Sequence, residues 1–479
     1  MIPSERMAVV DANAEALGVP RKQLMESSGN AVAREVRAVA DPGDAVCVVA
    51  GRGNNGGDGL VAARFLEEFE VTVHLLGRAE TITTDIAREN WAALDRAEFD
   101  AREVTDSRDL DLGDPDVVVD AMLGTGVTGA LREPAATAAE TVNDLAATVV
   151  AVDVPSGVDA DTGERHGTAV EADRVVTFHD AKPGLEDLGV PVTVADIGIP
   201  EAAELFVERG DLQRLTRDPQ SHKGDHGEVL VVGGGPYTGA PALSAQAALR
   251  AGADLVRVAC PASVADEIQG YSENLIVRPW SGDHLTPDDV DHVRALAADH
   301  DVTVLGPGLG DAAATLDAVA ELLFAMDGTV VVDADALQVV PDVETDATLV
   351  CTPHQGELRK MGGETDPDWR ERMALVESFA AEVGHTLLVK GAYDVVSDGE
   401  TTRVNRTGNP GMTVGGTGDV LAGATAALSC LLDPVDAAAI GAYANGWAGD
   451  EVVDAQGYGL VATDLLDELP RALWGGADE

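Results

Sequence analysis

Short apolar runs alternate with helix-spaced stretches along most of the chain, and turn residues mark nearly every change. In the first half, residues 45–50, 71–76, 117–122 and 149–154 are apolar runs dominated by valine and alanine. Runs this short, flanked by turn formers, predict strands buried on both faces. Residues 60–69 and 135–145, lying between them, read as helices. The rhythm lapses over 201–221, which is charged and poor in strand formers. It resumes with strand-like runs at 227–235, 255–260, 302–305, 329–332, 348–352 and 386–390. This alternation predicts the α/β class, as two doubly wound domains with mostly parallel sheets and helices on both faces. The lapse sets the expected boundary near residue 215, giving domains 1–214 and 215–479.

One segment stands out chemically. Residues 408–423 read Gly-Asn-Pro-Gly-Met-Thr-Val-Gly-Gly-Thr-Gly-Asp-Val-Leu-Ala-Gly, and an apolar helix-forming run continues to 432. Glycines 415, 416 and 418 let backbone N–H groups converge without Cβ obstruction. Donors gathered at a helix start suit a phosphate. Asp419, beside them, is placed to take a proton from a hydroxyl that attacks that phosphate.

Composition narrows the setting. There are 84 acidic residues against 32 basic ones, a net charge of −52, and only five of the basic residues are lysines. Acid excess with lysine scarcity points to a salt-in halophile, whose molar salt shortens the screening length to about 3 Å. Nucleic acid and anionic membranes are excluded as partners by this charge. Cys47, Cys260, Cys351 and Cys430 are widely spaced, which argues against a zinc site or a disulfide framework. No signal peptide or spanning segment is expected, and the location expected is cytoplasmic.

Three loops follow predicted strands of the first half. Gly51-Arg-Gly-Asn-Asn-Gly-Gly-Asp-Gly59 contains a GxGxxG spacing and keeps a Rossmann-type dinucleotide site open as a reading. Arg78 at the end of the next strand could accept a 2′-phosphate. The other two loops are Asp120-Ala-Met-Leu-Gly-Thr-Gly-Val-Thr-Gly-Ala130 and Asp153-Val-Pro-Ser-Gly157. Loops at strand carboxyl ends converge on one crevice. There Asn55, Asp120 and Ser156 would offer three oxygen ligands of low total charge, a set that suits K⁺ better than a transition metal. In the second half, His222–Gly227, Tyr237–Ala242, Gly306–Gly310, Thr352–Leu358 and Lys390–Asp394 are the corresponding loop segments.

Gly53–Gly59, Asp120–Gly126 and Asp153–Gly157 resemble the NAD(P)H-hydrate epimerase domain. The second-half motifs resemble the ADP/ATP-dependent NAD(P)H-hydrate dehydratase, a ribokinase-like fold. Nearly the whole chain is thus similar to the bifunctional NAD(P)H-hydrate repair family. The resemblance implies a Rossmann-like epimerase fold followed by the ribokinase-like one. It implies that Asn54, Asn55, Gly56, Gly57 and Asp58, with Gly124, Thr125, Gly126, Val127, Thr128, Gly129 and Ala130, bind hydrated NADH or NADPH (NADHX, NADPHX). Asp153 matches the acid that contacts the hydrated nicotinamide, and Asn55, Asp120 and Ser156 match the K⁺ positions. Ala240, His354 and one of Gly308 and Gly310 match the second substrate site. Lys390, Gly391, Ala392, Tyr393, Asp394 and Gly418 match nucleotide contacts, Asp419 the catalytic acid/base, and Glu357 a glutamate that organises Mg²⁺ through water. ADP with Mg²⁺ is the implied co-substrate, and a homo-oligomer is expected. Two other readings stay open on the sequence: an NADP-binding oxidoreductase fused to a small-molecule kinase, and a first half that binds without catalysing.

Overall fold

The computed structural model describes residues 1–126 and 129–475. It divides into two compact units, Met1–Ala203 and Glu204–Glu479. The charged 204–214 stretch therefore opens the second unit instead of closing the first, and the boundary expected at 215 moves back to 204. The reason is pairing within that second unit. The Val207 N–H donates to Val404 O at 3.0 Å, and buried Arg403 holds buried Asp211 at 2.8 Å.

The first unit is built on strands β1 (Ala45–Ala50), β2 (Glu70–Leu76), β3 (Asp100–Val104), β4 (Val117–Ala121), β5 (Thr148–Val152), β6 (Arg174–Phe178) and β7 (Val192–Ala195). Their order is β3-β2-β1-β4-β5-β6-β7, and every pairing is parallel. Alternation sorts the side chains. Val46, Val48 and Ala50 join the core under helices Arg21–Arg37 and Asn54–Phe65, while Cys47 and Val49 face helix Ala135–Asp144. Strand order reverses between β1 and β4, so their carboxyl ends open a crevice at a topological switch point.

Helix Asn54–Phe65 begins six residues earlier than the apolar pattern predicts, because Gly56, Gly57 and Gly59 lie inside it. Glycine weakens a helix interior, yet here contact demands it. A Cβ at Gly59 would lie 2.5 Å from Ala121 Cβ, and one at Gly56 would lie 2.0 Å from Gly51 O. The helix start is thereby pressed against the ends of β1 and β4.

In the second unit the strands are β8 (Glu228–Val232), β9 (Leu255–Pro261), β10 (Ile276–Trp280), β11 (Val302–Leu305), β12 (Thr329–Val332), β13 (Thr348–Cys351), β14 (Thr386–Val389), β15 (Asp394–Ser397) and β16 (Thr402–Asn405). They run in the order β10-β9-β8-β11-β12-β13-β14-β15-β16. Pairing is parallel as far as β14 and antiparallel through β15 and β16. The switch point lies between β8 and β11. Helices Gly239–Ala251, Thr417–Ser429 and Pro434–Gln456 share one core with this sheet. Gly423 lets the first two touch: its Cβ would stand 2.0 Å from Ser244 O.

Candidate active sites

At the first switch point a cleft of about 470 Å³ is lined by Asp11, Arg21, Asn54, Asn55, Asp58, Gly124, Thr125, Gly126, Asp153 and Lys182 among others. Gly51 makes the convergence possible, since a Cβ there would stand 1.8 Å from Met122 O. Gly56 and Gly57 are buried behind the lining, and Gly129 lies on a smaller adjoining hollow. Ala130 stands exposed beyond it. Val127 and Thr128 lie outside the described residues.

Asp120 ends β4 and is fully buried. Its carboxylate accepts the Ser156 hydroxyl at 2.6 Å, the Ser156 N–H at 2.8 Å and the Met122 N–H at 3.2 Å. Among the described residues no cationic side chain pairs with it, and burial pushes its carboxyl up to about 6. Both polar atoms of the Asn55 side chain are buried without a hydrogen-bond partner. Gly124 is packed so close that its Cβ would lie 3.2 Å from Asn55 Oδ1. A buried carboxylate with no cationic partner, together with an orphaned amide oxygen, is a donor set that fits a weakly held monovalent cation.

Asp153 follows β5 directly, with a positive φ of 66°. Its Oδ1 accepts the Thr177 hydroxyl at 2.9 Å and lies 3.1 Å from the Lys182 ammonium. Two further carboxyls approach it. Burial, then the charges of Asp153 and Asp11, hold Asp58 well above the usual carboxylate range. Burial raises Asp11 to about 6 against the opposing pull of Arg21 and Lys182. Sequence reading missed Asp11, Thr177 and Lys182. Scarcity of lysine was the available signal for Lys182.

In the second unit, residue Gly416 adopts a left-handed φ of 98° and caps helix Thr417–Ser429. Asp419 therefore sits in the first helical turn, its carbonyl accepting the Ser244 hydroxyl at 2.8 Å. Burial, then the Asp333 charge, pushes its carboxyl up to about 7, against Lys390, which favours the ionised form. Lys390 lies 3.1 Å from Asp333 Oδ1 and 3.9 Å from Glu357 Oε2. Burial disfavours its charge, but Asp333 and Glu357 outweigh that and hold its ammonium above the ordinary lysine value. Asp333, at the carboxyl end of β12, was also missed. Its environment is strict: Gly306 has a φ of +129°, and a Cβ there would stand 1.9 Å from Asp333 O.

Next to this cluster opens a cavity of about 680 Å³, whose walls include His354, Lys390, Gly391, Ala392, Asp394, Gly415, Gly416 and Gly418. Asp394 accepts the Gly391 N–H and the Asn405 amide, each at 2.9 Å. Tyr393 is not part of the wall; its ring stacks on Trp369 at 5.0 Å. His354 Nδ1 caps its own helix, accepting the N–H groups of Gly356 and Glu357 at 2.9 and 3.1 Å. Ala240 opens helix Gly239–Ala251. Gly308 and Gly310 both have positive φ; Gly308 packs on Tyr237 and Pro241, and Gly310 on Pro236. Ala240, Gly308 and Gly310 flank the second switch point and are not walls of the 680 Å³ cavity.

Fold and sites together define a tandem α/β enzyme with a separate carboxylate-bearing switch-point site in each unit. Residues 229–471 match the family described as NAD(P)H-hydrate dehydratase, and residues 21–184 match the YjeF-related protein N-terminus. A bifunctional NAD(P)H-hydrate repair enzyme of Pyrobaculum aerophilum is 45% identical, with 98% of each chain covered. Its counterpart from Methanothermobacter thermautotrophicus is 44% identical over 98% of this chain and 94% of its own. A ribokinase-like superfamily protein from Enterococcus faecalis V583 superimposes with a TM-score of 0.50 at 24% identity. That match covers 56% of this chain and 95% of the other, and it bears on fold alone. The chain belongs to the bifunctional NAD(P)H-hydrate repair enzyme family.

Proposed function

We propose that the first unit interconverts the R and S epimers of hydrated NADH and NADPH, and that the second dehydrates the S epimer using ADP. Hydration places a hydroxyl at C6 of the dihydropyridine, beside the ring nitrogen. In the first site Asp153 takes the C6 hydroxyl proton as the bond from C6 to the ring nitrogen opens to an aldehyde, and returns it as that bond closes on the opposite face, with Asn54, Asp58 and the Gly124–Gly126 backbone holding the dinucleotide. K⁺, when bound, supplies positive charge next to Asp120 and Asn55. In the second site Asp419 takes the C6 hydroxyl proton while the oxygen attacks the terminal phosphoryl of ADP. AMP leaves, and loss of phosphate from C6 together with a proton from C5 then restores the dihydropyridine. The Gly415–Gly418 amides and Lys390 hold the transferring group. Mg²⁺ brought in with a nucleotide needs only one or two protein carboxylates, and Asp333 and Glu357, both near Lys390, fit that need.

The observation that carries this reading is the pair of carboxylates, Asp153 and Asp419, each at its own switch-point site in its own unit. An oxidoreductase fused to a kinase would leave Asp153 and the orphaned Asn55 amide without a task. No helix among the described residues is long and apolar enough to cross a membrane. The four cysteines are free, which supports a reducing, cytoplasmic setting. The test is incubation with a mixture of R and S hydrated NADH, with and without ADP. Without ADP the epimers should equilibrate and persist; with ADP both should drain to NADH. A stable phosphorylated product accumulating in place of NADH would overturn the reading.

A further inference from the structure

Lys182 has 1% of its side chain exposed, in a chain with five lysines. Its ammonium donates to Phe178 O at 2.8 Å and Asp180 O at 3.2 Å, and lies 3.1 Å from Asp153 Oδ1. Two of its donors thus meet carbonyls, and it meets Asp153 Oδ1 as an ion pair. Thr177 donates to the same Oδ1. Among the described residues nothing donates to Asp153 Oδ2, while Asp153 lines the cleft. The backbone of Asp153 is left-handed, with a φ of 66°. An aspartate adopts that conformation at a cost and keeps it only where its surroundings enforce it.

We infer that Lys182 is a positioning residue for Asp153: with Thr177 it pins Oδ1 and leaves Oδ2 as the oxygen offered to the bound dinucleotide. This rests on the reading of Asp153 as the proton-transfer group of the epimerase site. Lys182 makes and breaks no bond itself. It holds one carboxylate oxygen against two carbonyls of its own loop, so that the other oxygen meets the C6 hydroxyl in a single orientation. A shift of about 1 Å in a reacting group can cost about a hundredfold in rate.

The test uses the full chain in molar KCl with purified R epimer, and compares Lys182→Met, Thr177→Val, Asp153→Asn and the Lys182→Met/Asp153→Asn double variant. Lys182→Met should lower kcat for epimerisation by about a hundredfold and change KM by less than about threefold, the pattern of a lost transition-state alignment. Thr177→Val, nearly isosteric, should lower kcat by about tenfold. In the Asp153→Asn background Lys182→Met should add nothing further. If Lys182→Met keeps kcat near wild type while Asp153→Asn is inactive, the pin is wrong and the role of Asp153 stands. If Asp153→Asn itself turns over normally, the reading beneath the inference falls. A raised KM at unchanged kcat would make Lys182 a ligand-binding group and overturn the pin. Should Lys182→Met not fold, Thr177→Val decides, and an unchanged kcat in that variant counts against the inference.

Discussion

Asp419→Asn should remove dehydration and stabilise the fold at the same time. Burial lifts the Asp419 carboxyl from 3.8 to about 7. A raised carboxyl means that the folded state binds its proton more tightly than the unfolded chain. Its contribution to stability is complete below about pH 4 and is lost as pH rises through about 7. Keeping the ionised carboxylate in this site therefore costs at most about 4 kcal/mol. Partial solvent reach and molar salt reduce that to about 1–2 kcal/mol. Asparagine carries no charge to bury, so the variant should melt higher than wild type at pH 8 and close to it at pH 5. Catalysis needs the ionised form, so wild-type dehydration should rise roughly tenfold from pH 6 to pH 8. The variant should lose about two orders of magnitude or more in kcat, with ADP affinity within a few fold. The assays are thermal melts of the nucleotide-free protein at the two pH values and NADH recovery from S epimer by absorbance. Near-normal turnover would remove Asp419 from catalysis. A melting difference that does not grow with pH would refute the burial argument.

Two further outcomes follow from charge and packing. The net charge of −52 should make the melting temperature rise with KCl up to molar levels, and NaCl should restore folding but less of the epimerisation if Asn55, Asp120 and Ser156 hold K⁺; a melting temperature indifferent to KCl contradicts the halophile reading. Gly306→Ala must fit a Cβ 1.9 Å from Asp333 O at a φ of +129°, so it should cost about 3 kcal/mol or more in denaturant unfolding and displace Asp333 from Lys390; an unchanged midpoint with full dehydration would show that the β11–β12 contact relaxes freely.

Most strands buried on both faces were plain in the sequence, although β6 (Arg174–Phe178), between β5 and β7, was not read. Residues 45–50, 302–305 and 329–332 form strands at those positions because valine runs flanked by turns have few other uses in an open sheet. Edge strands were not: β3 reads Asp-Ala-Arg-Glu-Val, and its charges face solvent where no apolar pattern is required. The β15–β16 hairpin was hidden for a different reason: its strands are short and carry polar residues, Ser397, Arg403 and Asn405, that are buried. The start of helix Asn54–Phe65 was misplaced because its glycines signal a loop by propensity, while their reason is contact with β1 and β4. Within the sites, motif glycines and carboxylates were legible because backbone convergence and proton transfer need particular residues. Lys182 and Asp333 were not, because they act through distant partners, Asp153 and Lys390, that only the fold brings near.

The central claim is that two carboxylates in two units perform two separate reactions. The direct measurement is chromatographic resolution of R epimer, S epimer and NADH over time, starting from each pure epimer with ADP, for Asp153→Asn and Asp419→Asn. Asp153→Asn should repair the S epimer at the wild-type rate and the R epimer only as fast as it epimerises spontaneously. Asp419→Asn should equilibrate R and S quickly and form no NADH. If Asp153→Asn abolished dehydration of the S epimer in a folded protein, the two sites would not be independent, and the division of function between the units would be contradicted.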